Sequence, residues 1–196
     1  MLENIINIEM LGVSLALYLI GSIPFAIISS KIFSLPDPRS FGSKNPGATN
    51  VMRSGNIYAA AITLVGDALK GLLPVILLLN MGVENYHVYL LSFFILLGHT
   101  FPITLKFKGG KGVATSIGIL LSLDIIVASL VILTWLVIYF LFKVSGVSAL
   151  VGFLFLPIYV FIIIDSSYML AISFLNLFFI FMTHKSNIIE FMLNKS

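Results

Sequence analysis

Long uninterrupted apolar runs constrain this chain more than any other feature. From Ile125 to Phe142, and again from Val147 to Ile164, no charged side chain interrupts the sequence. Such runs offer water no polar face, and crossing a bilayer takes about 20 apolar residues. The chain is 59% hydrophobic and 10% charged, where soluble domains carry about 25% charged residues. It therefore reads as an integral membrane protein, with residues 1–196 forming one domain. A β-barrel is excluded, because barrel strands alternate over about 10 residues and these runs are apolar throughout. No Cys is present, so disulfide and thiolate chemistry are excluded. Glu3 and Glu9 stand where a signal peptide would be basic, so no cleaved leader is expected.

The fold expected is all-α, a polytopic membrane protein of seven transmembrane helices. The spans read roughly as Met10–Ser30, Ile57–Leu79, Tyr86–Leu105, Val113–Leu123, Ile125–Phe142, Val147–Ile164 and Ser167–Met182. The fourth is short for a crossing. It starts deeper, continues into Lys111–Gly112, or forms a helical hairpin with the fifth; a single crossing by 113–142 would leave five or six spans. The loop charges discriminate. The first loop holds Lys31, Asp37, Arg39, Lys44 and Arg53, the third Lys106, Lys108 and Lys111, the fifth Lys143, and the C-terminal tail Lys185, Glu190 and Lys195. The intervening tail and loops hold Glu3, Glu9, Glu84, Asp124 and Asp165. Of the 11 Lys and Arg, all but Lys70 fall on one side. The positive-inside rule puts that side, with the C-terminus, in the cytoplasm and the N-terminus outside.

Three polar blocks share the cationic face. The first runs from Phe41 to Asn50, with Arg53 following. Pro36, Pro38 and Pro46 exclude a continuous helix there, and Gly42 and Gly47 permit positive φ. Ser43, Asn45, Thr49 and Asn50 bring short polar side chains, and Arg53 a planar fork suited to phosphate. An anion cradle and a solvated loop obeying the charge rule both fit. The second block runs from Lys106 to Gly112, where Gly109, Gly110 and Gly112 surround Lys111 and lead into an apolar helix. Free N–H groups at a helix N-terminus favour an anion. It is not a Walker A loop, which would need Gly at Leu105 and Ser or Thr at Gly112. Anchoring to lipid headgroups is the alternative. The third block is His184-Lys185-Ser186-Asn187.

Other polar residues have structural readings. Asp67 and Lys70, at i and i+3 inside the second span, fit an ion pair that fixes helix packing, or a proton relay. His99, beside Pro102, fits packing or capping. His87 lies on the opposite face. His184, with Asn187 one turn on, is the histidine placed for function. The three His are spread over both faces with no carboxylate cluster, so no metal site is expected.

Five stretches carry a family likeness: Gly21-Ser22-Ile23-Pro24, Gly42 to Gly55, Asp67 to Gly71, Gly98 to Gly118, and His184 to Asn187. Together they resemble the bacterial membrane family of acyl-phosphate:glycerol-3-phosphate acyltransferases, the PlsY family, over nearly the whole chain. The resemblance implies seven spans in the bacterial inner membrane and an active site facing the cytoplasm. It implies acyl transfer from acyl phosphate to the 1-hydroxyl of glycerol 3-phosphate, giving lysophosphatidic acid and inorganic phosphate. Carried over by motif, Ser43, Arg53, Lys111, His184 and Asn187 are the catalytic set. Asn45, Thr49, Asn50, Gly109, Gly110 and Gly112 are expected to support substrate binding. The base is either His184 or a substrate phosphate oxygen. No cofactor, nucleic acid or obligate protein partner is implied; the partners are the two substrates and the bilayer. Lys44 stands where the family usually has Gly, Thr183 where it has Arg, and the tail lacks the usual Gly-x-Glu close. The rival classes are an anion carrier, which should show repeats and polar broken helices at the midplane, and a membrane scaffold, which needs no glycine–lysine loop.

Overall fold

The computed structural model describes residues 8–193, with side chains described from 10 to 189. The charges expected at Glu3, Glu9, Glu190 and Lys195 lie outside the described side chains. Among the described residues the α-helices run in the order α1 (Ile8–Gly21), α2 (Phe25–Ile32), α3 (Ala48–Met52), α4 (Ile57–Asn80), α5 (Asn85–Thr100), α6 (Val113–Leu123), α7 (Ile125–Phe142), α8 (Ser145–Ile163), α9 (Ser167–Thr183) and α10 (Lys185–Leu193), with no strand. Five segments are long and apolar enough to cross a membrane: Met10–Ile32, Ile57–Asn80, Asn85–Leu105, Ile125–Phe142 and Ser145–Ile163. Val113–Leu123 and Ser167–Thr183 are shorter apolar helices. The protein is thus an all-helical membrane protein.

Local chemistry sets the boundaries. Asn56 caps α4 by accepting from Ala59 N, and Asp124 caps α7 by accepting from Ile126 N and Val127 N at 2.9 and 2.8 Å. The Asp124 cap makes 113–142 two helices rather than one. Lys143, at φ 56° in the left-handed region, ends α7. The first expected span is present as Met10–Ile32 but is not one helix: α1 stops at Gly21 and α2 starts at Phe25. Pro24 has no N–H for Ile20 O, and its ring would clash with that carbonyl in a continuous helix.

Glycines let helices touch backbone to backbone, as membrane helices without a hydrophobic drive require. A Cβ on Gly21 would strike Ile95 O, and one on Gly98 would strike Tyr18 O, so α1 and α5 lie in direct contact. Gly71 and Gly118 meet Thr115 O and Ala68 O in the same way, locking α4 to α6. Between α5, α6 and α9, buried Asn176 accepts from Ser116 Oγ at 3.2 Å and donates to Tyr89 OH at 3.1 Å. These contacts hold α1, α4, α5, α6 and α9 together, with the start of α6 and the end of α9 joined by the Thr183 Oγ1 bond to Lys111 O.

Candidate active site

Lys111 sits on the residue before the N-cap of α6, and its ammonium donates to Asn187 Oδ1 on α10. Asn187 in turn lies against Gly146, where a Cβ would come within 2.9 Å of its Cγ and Nδ2. Gly146 follows Ser145, whose hydroxyl is 3.2 Å from Thr49 Oγ1 in the first loop. Thr183 Oγ1 reaches Lys111 O at 3.0 Å from the end of α9. The structure therefore joins all three polar blocks, and adds Ser145 and Gly146 at the start of α8. Sequence reasoning missed that pair and treated Thr183 only as a departure. A serine and glycine two and three residues after Lys143, on the cationic face, were the available signal.

Two helix N-termini open into this region. The N-cap of α6 is Gly112, at φ 86°, and that of α8 is Val144; neither offers a side-chain cap. Their first-turn N–H groups have no intrahelical acceptor, and both dipoles favour negative charge there.

Two expected substrate ligands turn out differently. The glycine loop was expected to present free N–H groups. Instead Gly109 N donates to Thr100 O at 3.0 Å and Gly110 N to His99 O at 3.1 Å, so the end of α5 takes both amides. Gly112 keeps the expected position at the helix start. The second is Asn50, which is buried and ties its own loop: Nδ2 donates to Pro38 O (2.6 Å) and Phe41 O (3.1 Å), while Oδ1 accepts from Ser43 N (2.9 Å). Both amide hydrogens are in use, which leaves only a lone pair on Oδ1 for a substrate.

The rest of the first loop stays available. Ser43, Thr49 and Arg53 are exposed and Asn45 is half-buried. Gly42, at φ 56°, is where the Arg53 side chain crosses: a Cβ there would meet its Cδ and Nη1, both at 3.1 Å. Farther out, Arg39 and Asp37 form an exposed pair at 2.7 Å, and the guanidinium holds the Asp37 carboxyl below the usual carboxylate range.

His184 is buried between α9 and α10. Its Nδ1 lies 2.8 Å from Ile180 O, a pure acceptor, so the proton sits on Nδ1 and the lone pair on Nε2. Burial, reinforced by the charge of Lys111, pushes its pKa down to about 4 against the pull of the Ile180 bond. His184 is therefore neutral at pH 7.

Asp67 and Lys70 are paired at 2.8 Å and buried in α4. Lys70 Nζ also donates to Ile23 O at the α1–α2 break, 3.0 Å away. His99, at the end of α5, stands beside them, with Nδ1 3.5 Å from Asp67 Oδ1.

The structure is an all-helical membrane protein with a lysine, an arginine, small hydroxyls and two helix N-termini without side-chain caps toward one end, a chemistry that suits anionic groups. The glycerol-3-phosphate acyltransferase family model matches residues 11–194. A glycerol-3-phosphate acyltransferase of Dechloromonas aromatica (strain RCB) is 51% identical over 143 residues, 73% of this chain and 72% of that one. Another, of Nitrosomonas eutropha (strain DSM 101675 / C91 / Nm57), is 46% identical over 185 residues, 91% of each chain. The crystal structure of PlsY, an integral membrane glycerol 3-phosphate acyltransferase in its glycerol 3-phosphate form, superposes with TM-score 0.88 at 27% identity, covering 96% of this chain and 94% of that one. Its lysophosphatidic acid form superposes with TM-score 0.87 at 26% identity over the same shares. The chain belongs to the glycerol-3-phosphate acyltransferase family.

Proposed function

We propose that this protein transfers an acyl chain from an acyl phosphate to the 1-hydroxyl of glycerol 3-phosphate. The products are lysophosphatidic acid and inorganic phosphate, in the first acylation step of phospholipid synthesis. The observation that carries the reading is Lys111, bonded to Asn187 between the uncapped starts of α6 and α8. Two substrates that each carry a phosphate match two helix N-termini and the cations Lys111 and Arg53. Family membership and the PlsY fold support the acceptor; the donor is our reading from the sequence likeness.

The hydroxyl oxygen attacks the acyl carbonyl carbon, the acyl C–O bond to phosphorus breaks, and phosphate leaves. Because the donor is already activated, positioning supplies much of the rate, and Lys111 and Arg53 stabilise charge in a partly dry site. Ser43 and Asn187 orient substrate oxygens, with Asn45, Thr49 and the amide of Gly112 supporting them. A neutral His184 with a pKa of about 4 is a weak base. The donor's phosphate oxygen is the better acceptor for the hydroxyl proton, and His184 Nε2 serves as a fixed hydrogen-bond acceptor.

The active site faces the cytoplasm of a bacterial inner membrane in a single-domain protein of seven spans, N-terminus outside. The alternation of basic and acidic loops supports that orientation. Val113–Leu123 and Ser167–Thr183 complete the count by crossing at reduced length, with the ends of the bundle drawn toward the membrane interior.

The test is phosphate release from palmitoyl phosphate by reconstituted protein, with and without glycerol 3-phosphate, alongside palmitoyl-CoA as donor. Release that requires glycerol 3-phosphate and yields 1-acylglycerol 3-phosphate is expected. Acylation from palmitoyl-CoA alone would overturn the donor, and no acylation from either would overturn the reading.

A further inference from the structure

The buried ionic cluster of α4 and α5 has no part in the reaction above, yet it abuts the loop that delivers Lys111. Asp67 and Lys70 are each about 95% buried and paired at 2.8 Å. Charges at such depth are costly unless matched, and a matched pair is rarely there for stability alone. Lys70 also donates to Ile23 O, so the pair ties α4 to the break between α1 and α2. Asp67 Oδ1 faces Nδ1 of His99 at 3.5 Å, and that ring nitrogen has no hydrogen-bond partner among the described residues. The opposite edge of the ring packs on Gly110, where a Cβ would collide with His99 Nε2 and Cε1. His99 is thus held between a carboxylate and the glycine loop.

The backbone completes the arrangement. Gly110 N donates to His99 O and Gly109 N to Thr100 O, so the last turn of α5 is the seat of the loop. A cavity of ≈ 10 Å³ lies at the junction, lined by Ile23, Pro46, Asp67, Lys70, His99 and Gly110. Pro46 comes from the first active-site loop, so the cavity beside the cluster is bordered by both loops.

We propose that Asp67, Lys70 and His99 are positioning residues that seat the Gly109–Gly110 loop and thereby aim Lys111 at the phosphate of glycerol 3-phosphate. The cluster acts through the loop and touches no substrate. The reference to glycerol 3-phosphate rests on the function proposed above; the seating of the loop does not.

The variants are Asp67→Asn, which leaves Lys70 buried without its counter-charge, and the double variant Asp67→Asn/Lys70→Met. The double variant removes both charges and keeps the fold where the single change fails. Two readouts separate seating from bulk stability. The first is amide hydrogen exchange in reconstituted protein without substrate. Exchange at Gly109 and Gly110 is expected to rise by about tenfold or more, while α7 and α8 stay as in the unmodified protein. The second is steady-state kinetics. KM for glycerol 3-phosphate is expected to rise between about tenfold and about 100-fold, as misplacement of a binding group by about 1 Å would cause. A merely structural role would instead lower apparent kcat at unchanged KM. Unchanged exchange at Gly109 and Gly110 in the folded double variant would overturn the proposal, as would faster exchange with unchanged KM. Should the unmodified protein release no phosphate, the functional reading fails and the exchange result alone decides the seating.

Discussion

The two loops proposed to form the active site are stabilised in opposite ways. The first loop is tied internally. Asn50 reaches Pro38 O, Phe41 O and Ser43 N, all within 12 residues of it, and Arg39 closes on Asp37 two residues away. The second loop has backbone turns of its own between Pro102 and Lys108, but its Gly109–Lys111 end is held by the bundle. Its two glycine amides bond to the end of α5, its carbonyl at Lys111 lies against Thr183, and its ammonium reaches Asn187, 76 residues on. The first loop carries its order in its sequence; the second takes its order from the bundle. A change that leaves the bundle intact can disturb the first loop alone, whereas the second should feel any shift of α4, α5, α9 or α10.

That contrast can be tested by substitution. Among changes that keep every proposed catalytic side chain, the largest effect is expected at Gly109, where a Cβ would run into His99 O, Thr100 O and the Pro102 ring. Backbone cannot yield as a flexible side chain can, so Gly109→Ala should unseat the loop and lower glycerol 3-phosphate-dependent phosphate release by about 100-fold or more. A Gly109→Ala protein with normal turnover would show that the second loop is not held by α5.

Asn50→Ala tests the internal tie of the first loop. It removes three hydrogen bonds, each worth about 1 kcal/mol, and leaves the bundle untouched. Turnover should fall by about tenfold to 30-fold, with thermal stability of the bundle nearly unchanged. A large loss of stability would show that the first loop is a structural support of the bundle.

Acid probes the third block. His184 is held neutral, with a pKa of about 4 in the folded protein against about 6.5 when unfolded. Between those values the unfolded chain binds more protons, so stability falls as pH drops from 6.5 towards 4. By pH 5 the loss due to this group is about 2 kcal/mol. Denaturation of the unmodified protein and of His184→Asn at pH 7 and pH 5 measures it, and the difference should shrink in the variant.

A smaller change is expected at Gly112. Its φ of 86° disfavours a side chain, but the nearest atom to a Cβ is Phe179 Cε1 at 3.5 Å. Gly112→Ala should cost about 1 kcal/mol and reduce turnover by less than about tenfold. Set beside Gly109→Ala, it separates a crowded glycine from a merely strained one.

What could be read in the sequence follows the same division. Apolar runs gave the boundaries of α4, α6, α7, α8 and α9 to within two residues, because composition alone decides which segments are apolar enough to enter a membrane; the end of α5 at Thr100 and the short α3 were not legible that way. Asp124 and Pro24 show the exceptions, where one residue splits a run, and only the first of those breaks was foreseen as a hairpin. The polar blocks were legible as blocks. Their partners were not: Ser145 meets Thr49 across 96 residues, and Gly146 meets Asn187. Nor could the sequence show that the Gly109 and Gly110 amides face α5, since a glycine permits either orientation of its N–H. Asp67 and Lys70 were visible as a pair at helical spacing, but His99 joins them only through the packing of α5 on α4.

The most direct measurement compares one lysine from each loop. Lys111 is fixed by Asn187 and Thr183, while Lys44 is exposed at φ 58° on the first loop. Phosphate release from palmitoyl phosphate, with and without glycerol 3-phosphate, would be followed for the unmodified protein, Lys111→Ala and Lys44→Gly. Release in Lys111→Ala should fall to the uncatalysed background while Lys44→Gly stays near normal. Near-normal, glycerol 3-phosphate-dependent release from Lys111→Ala would contradict the account.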